Sequence, residues 1–239
     1  MSKNVLITGG SGGIGSATAR LFASMGYNVG ITYNSDKDGA ERLCGEYSNI
    51  KAFKCDVSDR GGVETLFEEY HKSMGLVDIL VNNAGMARQR LFLDITMEEW
   101  ERIFAVNVTG VFNMCQFAIR DMITKGKGAI VNVSSIWGVK GASCEAHYSA
   151  TKAAVISLTE SLAKEYGLSG IRVNCVAPGV IDTRMNSHLD EEAMESLAEE
   201  AALGKIGKAD EVAETIYFLA SEKASFITGQ TLLCDGGFL

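Results

Sequence analysis

Apolar residues fall along this chain in short runs set at regular intervals. Val5-Leu6-Ile7-Thr8 is the first, and it reads as a buried strand. Val29–Tyr33, Ile50–Lys54, Ile79–Asn82, Ala129–Ser134, Ile171–Ala177 and Thr231–Cys234 repeat the pattern. The segments between them carry helical spacing, as at Ala17, Ala19, Leu21, Phe22 and Ala23. Strands alternating with helices predict an α/β fold, a doubly wound sheet of about seven parallel strands with helices on both faces. Right-handed crossovers then leave few topologies. No linker, repeat or low-complexity tract divides the chain, so residues 1–239 are expected to form a single domain. The sole proline, Pro178, closes the sixth run, where the chain must leave the sheet. The polar, Glu- and Met-rich stretch 184–204 follows that exit; it is expected to be a helical lid, with an ordinary surface helix as the alternative.

Composition narrows the picture. An apolar content of 46% suffices for a sizeable core, and a net charge of -8 argues against nucleic acid or an anionic membrane as partner. No apolar run approaches the roughly 20 residues of a membrane span. Met1-Ser2-Lys3-Asn4 leads straight into the first strand, leaving no room for a signal peptide, so a cytoplasmic location is expected. The six cysteines show no metal-ligand spacing and read as buried free thiols; no metal site is expected.

Two constellations carry chemistry. The first strand breaks into Gly9-Gly10-Ser11-Gly12-Gly13-Ile14-Gly15 before a helix begins. Glycines in a strand–turn–helix context let backbone N–H groups approach a pyrophosphate at the positive end of the helix, a Rossmann-type arrangement. Further along, Tyr148 and Lys152 lie four residues apart on one helix face, with Ser135 upstream. A free phenol, with a pKa of about 10, is a poor acid–base catalyst at neutral pH. An ammonium beside it is expected to lower that pKa, and a serine hydroxyl can polarise the same substrate oxygen. The set suits moving a proton on and off an alcohol or carbonyl.

Taken together these motifs resemble the classical short-chain dehydrogenase/reductase family, over the whole chain. Thr8-Gly9-x3-Gly13-Ile14-Gly15 is similar to its cofactor loop, and Asn82-Asn83-Ala84-Gly85 to its motif after the fourth strand. Asn107, Ser135, Tyr148 and Lys152 match its catalytic tetrad, and Pro178-Gly179-Val180-Ile181-Asp182-Thr183 the segment that caps the nicotinamide. Within the family the chain most resembles bacterial 3-oxoacyl-(acyl-carrier-protein) reductases. The resemblance implies that Tyr148 protonates a ketone as hydride arrives, with Ser135 stabilising the oxyanion. It implies that Lys152 also bonds the nicotinamide ribose, while Asn107 sits in a bent helix that supports a water relay. Thr183 and Ile181 would hold the carboxamide, Asp56-Val57 the adenine, and Gly9, Ser11, Gly13, Ile14, Gly15, Asn83, Ala84, Gly85, Pro178 and Gly179 would line the dinucleotide. Read without the family, Asp56 fits a helix N-cap equally, Asn83 a turn residue, and Asn107 a satisfied core amide. His147 is expected to line the pocket or face solvent, and Trp137 to pack on substrate or in the core.

No acid ends the second strand, where Asn34 and Ser35 stand before Asp36 and Lys37; this favours NADP, with NAD the alternative. An acidic carrier protein would dock on Arg88, Arg90, Arg120, Lys125 or Lys127. A free ketone, sugar or steroid alcohol remains open as substrate, as does a non-catalytic dinucleotide-binding regulator. Relatives of this kind imply a homotetramer. The broad apolar surfaces of the helix holding Val155, Ile156, Leu158 and Leu162, and of the one holding Phe104, Val108, Val111 and Phe112, agree with it.

Overall fold

Each apolar run forms a strand within one residue of its expected bounds. The computed structural model describes residues 3–187 and 190–239. Its first half runs β1 (Asn4–Ile7), α1 (Gly13–Ser24), β2 (Asn28–Tyr33), α2 (Lys37–Glu46), β3 (Ile50–Lys54), α3 (Arg60–Met74) and β4 (Ile79–Asn82). A long helical segment follows: α4 (Met97–Phe104), a π-helical turn (Ala105–Thr109) and α5 (Gly110–Lys125). Then come β5 (Gly128–Val133), the short α6 (Ile136–Val139), α7 (Ala146–Tyr166), β6 (Ile171–Pro178) and β7 (Ile181–Asp182). Helix α8 (Glu191–Glu200), β8 (Gly207–Lys208), α9 (Ala209–Ala220) and β9 (Thr231–Cys234) complete the chain.

The main sheet has seven strands in the order β3-β2-β1-β4-β5-β6-β9, every neighbouring pair parallel. Both faces are covered, which is why the strand sequences are continuously apolar and do not alternate. In β1, Val5 and Ile7 enter the core beneath α1, α2 and α9, while Leu6 enters the opposite core beneath α3, α5 and α7. Strand order reverses between β1 and β4, so the loops leaving these two strands diverge and open a crevice at the carboxyl edge.

Two features depart from expectation, and the expected lid is described in part. Strands β7 and β8 pair with each other as a separate parallel ribbon; at two residues each they are too short to leave a periodic signal. Within the expected lid, residues 188 and 189 lie outside the described residues; the remainder includes a 3-10 turn at Arg184–Asn186 and α8, which buries none of its residues. The helical run Met97–Lys125 is long and apolar enough to cross a membrane by length and composition, contrary to the sequence reading. Half of its apolar window is buried inside the protein, and Asn107 and Asn113 lie in the core along it, the pattern of a central helix of a globular domain.

One arginine fastens β6 to α9. The half-buried Arg172 guanidinium donates to the carbonyls of Leu219 (2.7 Å), Ala220 (3.2 Å) and Ser221 (3.0 Å), at the negative end of α9. It satisfies terminal carbonyls and complements the helix dipole together. Arg172→Met is expected to destabilise the fold by about 2–3 kcal/mol, since buried carbonyls lose a charged donor. Thermal unfolding followed by circular dichroism should show Tm lower by roughly 5–10 °C; an unchanged Tm would contradict this role.

Candidate active site

The glycine loop is shaped by contacts no side chain would allow. Gly9 and Gly13 adopt left-handed φ of 64° and 53°. A Cβ on Gly15 would overlap the Gly9 carbonyl oxygen and the Asn83 side chain. Helix α1 starts behind the loop with Gly12 at its N-cap, no side chain capping it and no acid in its first turn. Its first N–H groups are therefore turned to the crevice with no side chain from this end satisfying them, the requirement for binding a phosphate. Thr183, just past β7, stands over the loop, its methyl 3.4 Å from where a Cβ on Gly13 would lie. These residues fit a dinucleotide.

The loop after β4 is bonded onto the glycine loop. Thr8 Oγ1 accepts from the backbone N–H of Asn83 (3.0 Å) and Ala84 (2.9 Å). Asn83 Nδ2 donates to the carbonyls of Thr8 (3.0 Å) and Gly9 (3.1 Å). Asn83 was expected to contact the cofactor. Its amide donors are instead spent holding two loops together. Gly85 leaves open space beside the chemistry: a Cβ there would sit 3.3 Å from Lys152 Nζ and 3.4 Å from Asn107 Oδ1.

Asn107 lies in the π-helical turn, matching the expected bend. Such a turn breaks the regular i→i−4 ladder. The amide itself is satisfied: Oδ1 accepts from Met86 N at 2.9 Å, and Nδ2 donates to Met86 O (2.9 Å) and Thr151 Oγ1 (3.0 Å). It joins the loop after β4 to α7.

Two adjacent serines separate by role. Ser134 Oγ donates to the Lys152 carbonyl at 2.8 Å and anchors α7. Ser135 caps α6, its Oγ accepting from Trp137 N at 3.2 Å, and its hydroxyl works to lower the pKa of the Tyr148 phenol. Ser135, Trp137, Tyr148, Gly179 and Met185 line one cavity of about 420 Å³, with Arg88 at its side. Trp137 thus faces the cavity, and its ring meets Phe238 edge-on at 5.8 Å. His147 neither lines this cavity nor faces solvent. It is fully buried, which pushes its pKa down and leaves it neutral.

Burial dominates the electrostatics. It pushes Tyr148 up to about 12, with the Ser135 contact pulling the other way. Burial likewise pushes Lys152 down to about 8. Its Nζ donates to the Val133 carbonyl at 2.9 Å and lies 5.6 Å from the Tyr148 ring centroid. Both groups are removed from water, and desolvation penalises each charged form more than the pair's proximity favours it.

The remaining predicted residues sort by distance from this centre. Gly179 is held by its N–H on the Cys234 carbonyl at 3.0 Å, directly after Pro178 ends β6, and Ile181 is buried in β7. Ile14 packs against the core under α1, and Ser11 is half-buried in the loop. Asn34 is exposed just beyond β2. Asp56 does not cap α3; Asp59 does, accepting from Gly61 N. Asp56 instead accepts from Ser58 N (3.0 Å), Ser58 Oγ (2.6 Å) and Arg102 (2.9 Å). Burial works to raise its pKa, yet these donors hold it low. The Val57 side chain packs against Gly110 of α5, so an adenine contact is left to its backbone. Of the cations expected at the mouth, Arg88 lines the cavity, and it and Arg90 both pair with Glu99. Lys125 pairs with Asp78, and Lys127 precedes β5, both at the opposite, amino end of the strands.

A doubly wound sheet with this loop and this buried phenol defines a dinucleotide-dependent oxidoreductase. Residues 9–239 match a family model described as enoyl-(acyl carrier protein) reductase. The chain is 39% identical to 3-oxoacyl-(acyl-carrier-protein) reductase FabG of Chlamydia muridarum, over 99% of this chain and 97% of that protein. It is 40% identical to the FabG of Thermotoga maritima, over 99% of this chain and 98% of that one. A gluconate 5-dehydrogenase from Burkholderia cenocepacia, solved with NADP and tartrate, superposes with a TM-score of 0.93 at 33% identity, covering 100% of this chain and 96% of that one. ElxO with NADP bound gives a TM-score of 0.93 at 37% identity, covering 100% and 99%. The chain belongs to the short-chain dehydrogenase/reductase family.

The buried ammonium has a stability consequence with a definite sign. Folded Lys152 releases its proton near pH 8, whereas the unfolded chain holds it to about 10.4. Below pH 8 the folded state bears the whole burial penalty. Between those values the unfolded chain binds the extra proton, so stability rises with pH. Lys152→Met is expected to raise Tm by several degrees at pH 7, the gain shrinking toward pH 10. Calorimetry across that range checks it; a loss of Tm at pH 7 or a gain independent of pH would refute it.

Proposed function

We propose that this protein reduces the ketone of a 3-oxoacyl thioester carried on acyl-carrier-protein, using NADPH. The observation that carries the reading is the convergence of Ser135 and Tyr148 in one cavity of about 420 Å³ at the carboxyl edge of the sheet. Two hydroxyl donors meeting at one oxygen suit a carbonyl. An enoyl carbon–carbon bond offers no such oxygen at the reacting atom, so the site favours ketone reduction over the enoyl reduction in the family model's description. The FabG names of the full-length relatives support the thioester substrate, and the NADP in both solved neighbours supports the cofactor.

When bound, the reduced dinucleotide would supply the hydride. Gly9, Gly13, Gly15 and the N-terminus of α1 would hold its phosphates, and Ile181 and Thr183 its nicotinamide end. Tyr148, pushed up to about 12 by burial, keeps its proton at neutral pH and donates it from Oη to the substrate oxygen. Ser135 Oγ donates a hydrogen bond to that oxygen as charge develops. Lys152 supplies positive charge beside the phenol as it loses the proton. Asn107 holds α7 in register through Thr151. Arg88 lines the cavity with Arg90 two residues further on, cations to which an acidic carrier would be drawn. The protein is expected to work in the cytoplasm.

Tyr148→Phe is expected to retain nucleotide binding and lose about 10²–10⁴-fold in kcat, the usual scale for a general acid. Turnover is followed by nicotinamide absorbance against acetoacetyl thioesters, free ketones and sugar acids. Near-wild-type rates in this variant would refute the assignment, and selective turnover of a sugar acid would redirect the substrate.

The same reading includes assembly as a homotetramer. A groove between α5 and α7 is lined by Phe112, Ile119, Ile123, Leu158 and Leu162, with Phe112 44% and Ile123 49% exposed. Apolar surface of this kind on two neighbouring helices calls for a covering partner. Light scattering at micromolar concentration should give the mass of about four chains by the closed symmetry common to such enzymes; an active monomer would overturn it.

A further inference from the structure

The glycine loop carries no cation of its own, yet one lies against it. Arg184, the residue after Thr183, extends back across the loop so that its Nη2 fills the space a Cβ on Gly12 would enter. The same nitrogen is 2.5 Å from Asp36 Oδ2, three residues past the end of β2. Asp36 is otherwise engaged as N-cap of α2, accepting from Gly39 N at 3.0 Å.

This places a guanidinium between the start of α1 and the end of β2. In a doubly wound sheet that interval receives the adenosine ribose, where an acid accepts from a 2′-hydroxyl and an arginine accommodates a 2′-phosphate. Two other cations along this edge are committed elsewhere, Lys37 to Glu41 and Arg20 to Glu46, and Arg42 of α2 acts on Asp36 through its charge, without the direct contact that Arg184 makes. Arg184 has Asp36 as its acceptor and keeps a side chain that is 72% exposed, so most of its planar fork is left open to a ligand.

We propose that Arg184 is the residue that sets cofactor preference, by neutralising Asp36 and binding the 2′-phosphate of NADPH with the rest of its guanidinium. The inference rests on the NADPH reading above. It makes the discriminating charge a contribution of the segment beyond β7, which also carries Thr183 and borders the substrate cavity through Met185. Without Arg184, Asp36 would stand uncompensated at the ribose, the arrangement that suits NADH.

Gly12 permits a direct test. Its backbone is extended (φ -162°, ψ 172°), a conformation any residue adopts, and the atom in the way is the movable end of Arg184. Nucleotide affinity is measured by fluorescence titration, without turnover, for NADPH, NADH, adenosine 2′,5′-bisphosphate and AMP. Arg184→Ala is expected to weaken NADPH and adenosine 2′,5′-bisphosphate by roughly 10–100-fold, the range for loss of a charged hydrogen-bonding partner. NADH and AMP should change little or bind more tightly. Adding Gly12→Arg to that variant should restore much of the NADPH affinity, which also shows that the variant is folded. Equal weakening of all four nucleotides, or no change, would overturn the proposal while leaving the NADPH reading intact. A wild-type preference for NADH would overturn that reading, and this proposal with it.

Discussion

The site depends on one hydroxyl. Thr8 Oγ1 accepts two backbone N–H groups from the loop after β4, and Asn83 returns two bonds to the loop after β1. These strands are neighbours whose helices depart to opposite faces, and the clasp takes over where their last ladder bond, Thr8 N to the Val81 carbonyl at 3.0 Å, ends. From that clasp the bonding continues: Met86 N and O to the Asn107 amide, Asn107 to Thr151 Oγ1, and Thr151 Oγ1 to the Tyr148 carbonyl. One connected path runs from the nucleotide loop to the helix bearing the proton donor. Each link is buried or half-buried, where leaving a polar group unpaired is costly, so the path fixes relative position as well as adding stability.

Burial then sets the chemistry. Tyr148 and Lys152 share a face of α7, and both are enclosed by β5, α6 and α7. Enclosure works against charge on either group, raising the phenol and lowering the ammonium. The resting site therefore favours a neutral phenol that holds its proton, the state needed to protonate a carbonyl oxygen. A water-exposed pair at the same spacing would not be biased in this way.

The strands were legible because a sheet covered on both faces demands continuous apolar runs, and the loop was legible because five glycines in seven positions leave few other uses. Ser135 was separable from Ser134 only by family spacing; the structure supplies the reason, since Ser134 is spent on the Lys152 carbonyl. Other partners were not legible because they depend on which polar group a side chain meets in three dimensions. Asp56 meets Arg102 from α4, and Asn83 meets Thr8 and Gly9, partners separated by more than forty residues of sequence. Lys125 and Lys127 are as basic as Arg88 and Arg90, but the length of β5 separates them from the cavity. Arg184 lay beyond the cofactor motifs, and no periodicity or local spacing could bring it to Gly12.

The start of α1 shows how function shapes local stability here. A helix of 12 residues whose N-cap is glycine, with no capping side chain and no acid in its first turn, forgoes the usual means of satisfying its terminal N–H groups. A Ser or Asp at the cap would contribute about 1 kcal/mol relative to an uncapped end. It would also place an oxygen acceptor where a phosphate must lie. The helix is held instead by packing: Ala19, Phe22 and Ala23 are buried against the sheet and α9, and Phe22 meets Tyr27 and Tyr217 edge-on at 5.1 and 5.2 Å. Secure burial of its carboxyl-terminal half lets the first turn keep free donors. The fold thus keeps its anion site open at one end of a helix by over-anchoring the other.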